Sequence, residues 1–156
     1  MTYVLDSGPL INMFRHYYPD RFPSLWQRFD AMVGAEELVS VREVAKELDG
    51  QDDRLSEWVG NNGNFFHRPT VQEMAFVGRI FEVAHFQGLI RQQERLQGKP
   101  VADPFVIAKA AQLDDGCVVT TELWRENAPK VPNVCDHFGV RWLSLEAFMA
   151  EAGWTF

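Results

Sequence analysis

Short apolar runs alternate with stretches of helical periodicity along the whole chain, and that alternation leaves few ways to fold it. Tyr3-Val4-Leu5 is the first such run. It stops at Asp6-Ser7-Gly8-Pro9, a turn-rich sequence typical of a buried strand leading into a helix. Leu10, Ile11 and Phe14 then recur at helical spacing, as do Leu25, Trp26, Phe29 and Val33 behind Pro23, a residue suited to a helix start. Glu37-Leu38-Val39-Ser40 predicts a second strand, after which Val41, Val44, Ala45 and Leu48 return to helical spacing until Gly50. A short helix over 53–58, an Asn-rich loop at 61–64 and a strand remnant at Phe65-Phe66 follow.

The stripe Val71, Met74, Val77, Phe81 and Ala84, widened by Phe76, Ile80 and Val83, predicts one largely enclosed helix reaching about Gln93. Asp103-Pro104 reads as the N-cap and first residue of another, running to about Leu113. Cys117-Val118-Val119-Thr120 is a third buried strand, 124–130 a surface loop, and Val140-Arg141-Trp142 a last strand before a helix capped by Ser144. Strands alternating with helices predict a three-layer α/β/α fold around a central, mostly parallel sheet. A length of 156 residues suits one such domain over 1–156 and is too short for two well-made cores.

Bulk properties narrow the class. No apolar run approaches the length needed to span a bilayer, and the first eight residues lack the basic and apolar regions of a signal peptide, so a cytoplasmic protein without a membrane partner is expected. Cys117 and Cys135 sit among apolar neighbours and read as buried thiols. The net charge of −7 weighs against tight binding to nucleic acid. The same acidity, however, is what remains when a site is built from carboxylates and its compensating cations are metals.

In an open parallel sheet, ligands bind beyond the carboxyl ends of the strands. Asp6 lies at the end of the first strand, Glu122 just past the end of the third, and Asp103 at the start of a helix antiparallel to them. Singly, these are a turn aspartate, an N-cap and a solvated glutamate. Gathered along one edge they would repel and hold their protons more tightly unless hard cations lie between them. A fourth acid comes from the helix after strand two, where Glu43 and Glu47 are one turn apart on one face. Position alone favours Glu43, the nearer to the carboxyl edge.

The segments Tyr3-Val4-Leu5-Asp6-Ser7, Val44-Ala45-Lys46-Glu47-Leu48, Ala102-Asp103-Pro104-Phe105 and Val118-Val119-Thr120-Thr121-Glu122 together resemble the PIN-domain family, and within it bacterial proteins related to the toxins of toxin–antitoxin pairs. Val131-Pro132-Asn133-Val134-Cys135 and Phe138-Gly139-Val140 resemble the tail of that subgroup. The resemblance implies a ribonuclease using one or two Mg²⁺ or Mn²⁺ ions. It places the acidic quartet at Asp6, Glu47, Asp103 and Glu122, choosing Glu47 where position favours Glu43. Glu122 departs from the aspartate more usual in the family. Ser7 and Thr120 would orient these ligands through their hydroxyls, and RNA, a cognate antitoxin and a second copy in a homodimer are the partners the resemblance suggests.

Lys99 and Arg42 are candidates to steer an RNA backbone, with solvated side chains the simpler reading. Trp124 and Phe65-Phe66-His67 are candidates to stack a base, with core packing simpler. His16, His67, His85 and His137 show no metal-ligand spacing. Two rival functions stand beside the nuclease: a carboxylate–Mg²⁺ phosphohydrolase or phosphoacceptor, and a non-catalytic PIN-like module that binds RNA or protein. Asp6 lacks the nearby second aspartate the first rival needs.

Overall fold

The computed structural model describes residues 1–50, 53–89 and 101–156. Five parallel strands form one sheet: β1 (Thr2–Leu5), β2 (Leu38–Val41), β3 (Phe66–His67), β4 (Gly116–Val119) and β5 (Arg141–Leu143). Their spatial order is β3-β2-β1-β4-β5. Among the described residues, eight helices join them: α1 (Ser7–His16), α2 (Pro23–Gly34), α3 (Arg42–Leu48), α4 (Asp53–Asn61), α5 (Val71–Glu82), α6 (Asp103–Gln112), α7 (Val131–Phe138) and α8 (Leu145–Glu151). The arrangement is the three-layer α/β/α fold expected from the alternation of strands and helices.

Both central strands are enclosed on both faces, as an all-parallel sheet requires. Val4 and Leu5 of β1 and Cys117, Val118 and Val119 of β4 are wholly buried. Both cysteines are free and buried, as their apolar neighbours indicate. The chain builds outward from β1 to β2 and β3, then crosses back to place β4 on the other side of β1. The strand order therefore reverses between β1 and β4, which is where an open sheet of this kind leaves a crevice at its carboxyl ends.

Several boundaries differ from the sequence reading. The helix expected to run from Val71 to about Gln93 ends at Glu82, because Val83 turns to an extended conformation and a tight turn over Ala84–Gln87 follows. The apolar periodicity persists past that end because Phe86, in the turn, is also buried. The α5 helix is less enclosed than expected, with Val71 and Met74 on its solvent side; the far end of the expected helix and Lys99 lie outside the described residues. Asp103 is the first residue of α6 and not its N-cap, the cap position being taken by Ala102. The α7 helix was not anticipated, although Val131, Val134 and Cys135 bury one face of it and Gly139 closes it in the left-handed conformation. Among the described residues, no helix is long and apolar enough to cross a membrane.

Gly116 sets how closely α6 packs on β4. A Cβ there would lie 2.2 Å from the carbonyl oxygen of Ala110, and backbone cannot give way as a side-chain tip can. Gly116→Ala is expected to lower the unfolding free energy by about 1–3 kcal/mol, read as a lower urea midpoint. An unchanged midpoint would contradict the close approach.

Candidate metal centre

Asp6 follows β1 directly and caps α1, its Oδ1 accepting the Ser7 backbone N–H at 2.8 Å. Because Leu5 pairs with Val119, the next residues, Asp6 and Thr120, leave the sheet side by side. The Thr120 hydroxyl donates to Asp6 Oδ2 at 3.2 Å and accepts the Glu122 backbone N–H at 3.1 Å. One hydroxyl thus ties the acid after β1 to the acid after β4. Ser40 supports the same corner from β2, donating to the Leu5 carbonyl at 2.6 Å. Gly8 lets α1 start against the β4 loop, since a Cβ there would meet the Thr121 hydroxyl at 2.0 Å.

The other two acids are held by backbone N–H groups. Glu47 Oε1 accepts from Ala102 at 3.0 Å, tying α3 to the residue before Asp103. Glu122 Oε2 accepts from Val131 at 2.8 Å. That N–H belongs to the first turn of α7 and has no partner within the helix, so the carboxylate both satisfies it and sits at the positive end of the helix.

The four acids act on one another. Asp6 is 5 % exposed; its pKa is pushed up to about 7, first by burial and then by the charges of Glu47 and Glu122, against which the hydrogen bonds from Ser7 and Thr120 work. Asp103 is raised well above the ordinary aspartate value, again by burial first, and then by Asp6, Glu122 and Glu47. Lys130 works in the opposite direction on Asp103; sequence reasoning passed over this residue, whose position before a proline-led helix carries no signal of its own.

Asp6, Glu47, Asp103 and Glu122 are therefore one electrostatic group, with Thr120 bonded into it through its hydroxyl and Ser7 through its backbone N–H. Glu43 stands apart. It is 2 % exposed, 3.4 Å from Arg42 Nε, with Oε1 buried and lacking a hydrogen-bond partner among the described residues, and it is not among the leading charges acting on either aspartate.

A set of hard oxygen donors that resist losing their protons suits Mg²⁺ or Mn²⁺, whose charge would reverse the repulsion. As the side chains lie, no three His, Cys, Asp or Glu residues among those described are grouped to hold an ion, and one oxygen each of Glu47 and Glu122 is committed to a backbone N–H. Both Asp6 oxygens also accept hydrogen bonds; what sets Asp6 and Asp103 apart is that burial and neighbouring charge raise both pKa values, so a cation would relieve them most, with the glutamates completing or bracing the set. The model of a family described as a domain of unknown function (DUF4411) matches residues 3–156. No curated protein matches the chain.

A group whose pKa is higher folded than unfolded stabilises the fold below its unfolded pKa, and that contribution is lost as pH rises through the folded pKa. For Asp6 the window runs from the ordinary 3.8 to about 7. With chelator present, Asp6→Asn keeps an acceptor for Ser7 and removes the titration. As pH rises through this window, the difference in unfolding free energy should move in the variant's favour by more than about 1.4 kcal/mol, the equivalent of a tenfold change in proton affinity. Parallel pH–stability curves for the two proteins would contradict the raised pKa.

Proposed function

We propose that the chain, which belongs to the DUF4411 family, is a divalent-metal-dependent ribonuclease of PIN-like type that hydrolyses phosphodiester bonds in RNA. The observation that carries this reading is the mutual repulsion of Asp6 and Asp103 with Glu47 and Glu122 at the switch point of the sheet. Buried repelling carboxylates lower the stability of a fold, and a divalent cation is the partner that turns them to use.

Asp6 and Asp103 would hold the ion, Glu47 would complete the set from α3, and Glu122 would act from the loop after β4. When bound, Mg²⁺ or Mn²⁺ lowers the pKa of a coordinated water and offsets the charge that develops on the phosphate. The protein's own part is positioning. Thr120 fixes the orientation of Asp6, the Ala102 N–H that of Glu47, and the Val131 N–H that of Glu122. Lys130 supplies positive charge beside Asp103 where a phosphate would approach.

The position two residues beyond Asp6, where a phosphohydrolase or phosphoacceptor would carry a second aspartate, is Gly8, pressed against Thr121. A module that only binds has no use for carboxylates whose burial opposes folding. The nuclease reading extends to the toxin of a toxin–antitoxin pair if the gene adjoins one for a small protein with a DNA-binding N-terminus and an apolar C-terminal tail. In that case the cognate antitoxin would be a partner beside RNA.

Purified protein is expected to cleave RNA with Mn²⁺ or Mg²⁺ and to stop when EDTA is in excess; cleavage that persists in EDTA rejects the metal mechanism. Asp103→Asn should reduce turnover on the order of a hundred-fold or more without unfolding α6, because Asp103 is not its cap. Among the glutamates, Glu47→Gln should be far more damaging to rate than Glu43→Gln. The reverse order would move the fourth acid to Glu43.

A further inference from the structure

Core packing is the simpler sequence reading for both aromatic candidates, and the structure separates them. Phe65 and Phe66 are 5 % and 8 % exposed, within the core, whereas Trp124 is 52 % exposed and its neighbour Leu123 75 %. A single exposed indole is ordinary. This one stands two residues beyond Glu122, on a loop pinned from both sides.

On one side, Glu122 is tied to the Thr120 hydroxyl through its N–H and to the Val131 N–H through its carboxylate. On the other, the Arg125 N–H donates to Asn133 Oδ1 at 3.3 Å, and Asn133 Nδ2 donates back to the Arg125 carbonyl at 2.6 Å. The Ala128 N–H closes a turn onto the same carbonyl at 3.1 Å. The exposed indole therefore stands on a short segment whose backbone is tied down at both ends, which reduces the ordering entropy a ligand must overcome to use it.

Electrostatics point to what would use it. A chain with net charge −7 gains little from counterion release when it meets a polyanion. Local help comes from Lys130, which acts on Asp103, and from Arg125, exposed beside Trp124. Beyond these side chains and the metal itself, affinity can be drawn from contacts that do not depend on charge, and stacking of an unpaired base on an indole is such a contact.

We propose that Trp124 is the base-stacking platform of this protein, holding one unpaired nucleobase of an RNA strand whose backbone passes the four carboxylates. The proposal rests on the ribonuclease reading and adds the residue that would hold the substrate. Bases in a duplex are not free to lie on the ring, so the platform selects single-stranded RNA.

The test uses a short fluorescein-labelled oligouridine and the full chain carrying Asp103→Asn, with Mn²⁺ present. Adding Trp124→Ala should weaken binding by about ten-fold or more, while Trp124→Phe, which keeps a stacking face, should stay within about three-fold. In the otherwise wild-type enzyme, Trp124→Ala should raise KM and leave kcat nearly unchanged. Unaltered affinity and KM for Trp124→Ala would overturn the platform, and so would a Phe variant as weak as Ala. Loss of a protein partner by Trp124→Ala with RNA affinity intact would also overturn it, assigning the patch to that partner. If no RNA is cleaved by the wild type with either metal, the ribonuclease reading itself fails. That result is distinguishable from an active enzyme indifferent to Trp124.

Discussion

The parallel pairing of β1 with β4 is the constraint on which the rest of this structure depends. Leu5 opposite Val119 brings Asp6 and Thr120 out of the sheet at the same level, and one hydrogen bond between them joins segments far apart in sequence. A register slip of one residue would turn every side chain of β1 to the other face and separate the two. Burial of both strands on both faces makes that slip costly, so the apolar core specifies the geometry of the polar corner above it. Gly8 and Gly116 serve the same end, each allowing an approach that a side chain would block.

The corner assembled in this way opposes folding. Burial is the leading cause of the raised pKa at both Asp6 and Asp103, and the neighbouring glutamates add to it. The backbone N–H groups of Ser7, Ala102 and Val131 offset part of that penalty by donating to carboxylates. These bonds also explain how the acids are oriented by elements from distant parts of the chain, as a site that depends on positioning requires. The acidity of the whole chain, which on its own argues against a nucleic-acid substrate, is consistent with a site whose counter-charge comes from metal.

Much of this was legible in the sequence because strand ends are legible. Short apolar runs closed by Asp6 and Glu122 mark the carboxyl edge, and Asp103-Pro104 marks a helix start at that edge. What spacing could not resolve was the choice between Glu43 and Glu47, which share one helix face. The Ala102 N–H distinguishes them by binding Glu47, a contact between residues 55 apart that no local pattern encodes. The α7 helix escaped because its few buried positions follow a polar loop without a break in composition, although Pro132 and Gly139 frame it. The overlong helix at Val71 shows the opposite error: Phe86, buried in the turn after it, lies three residues beyond Val83 and continues the period. Trp124 departs from the core-packing expectation because aromatic content predicts burial on average and gives no information about a particular loop.

The most direct test of the central claim is calorimetry of Mn²⁺ binding near about pH 6.5 in buffers of different ionisation enthalpy, which counts protons released. Carboxylates must lose their protons to bind a metal, and Asp6, with a pKa near 7, is partly protonated in the folded protein at that pH. Binding should therefore release protons, and Asp6→Asn should bind more weakly and release fewer. Mn²⁺ binding that releases no protons, or that Asp6→Asn and Asp103→Asn leave unchanged, would show that these carboxylates do not form a metal centre.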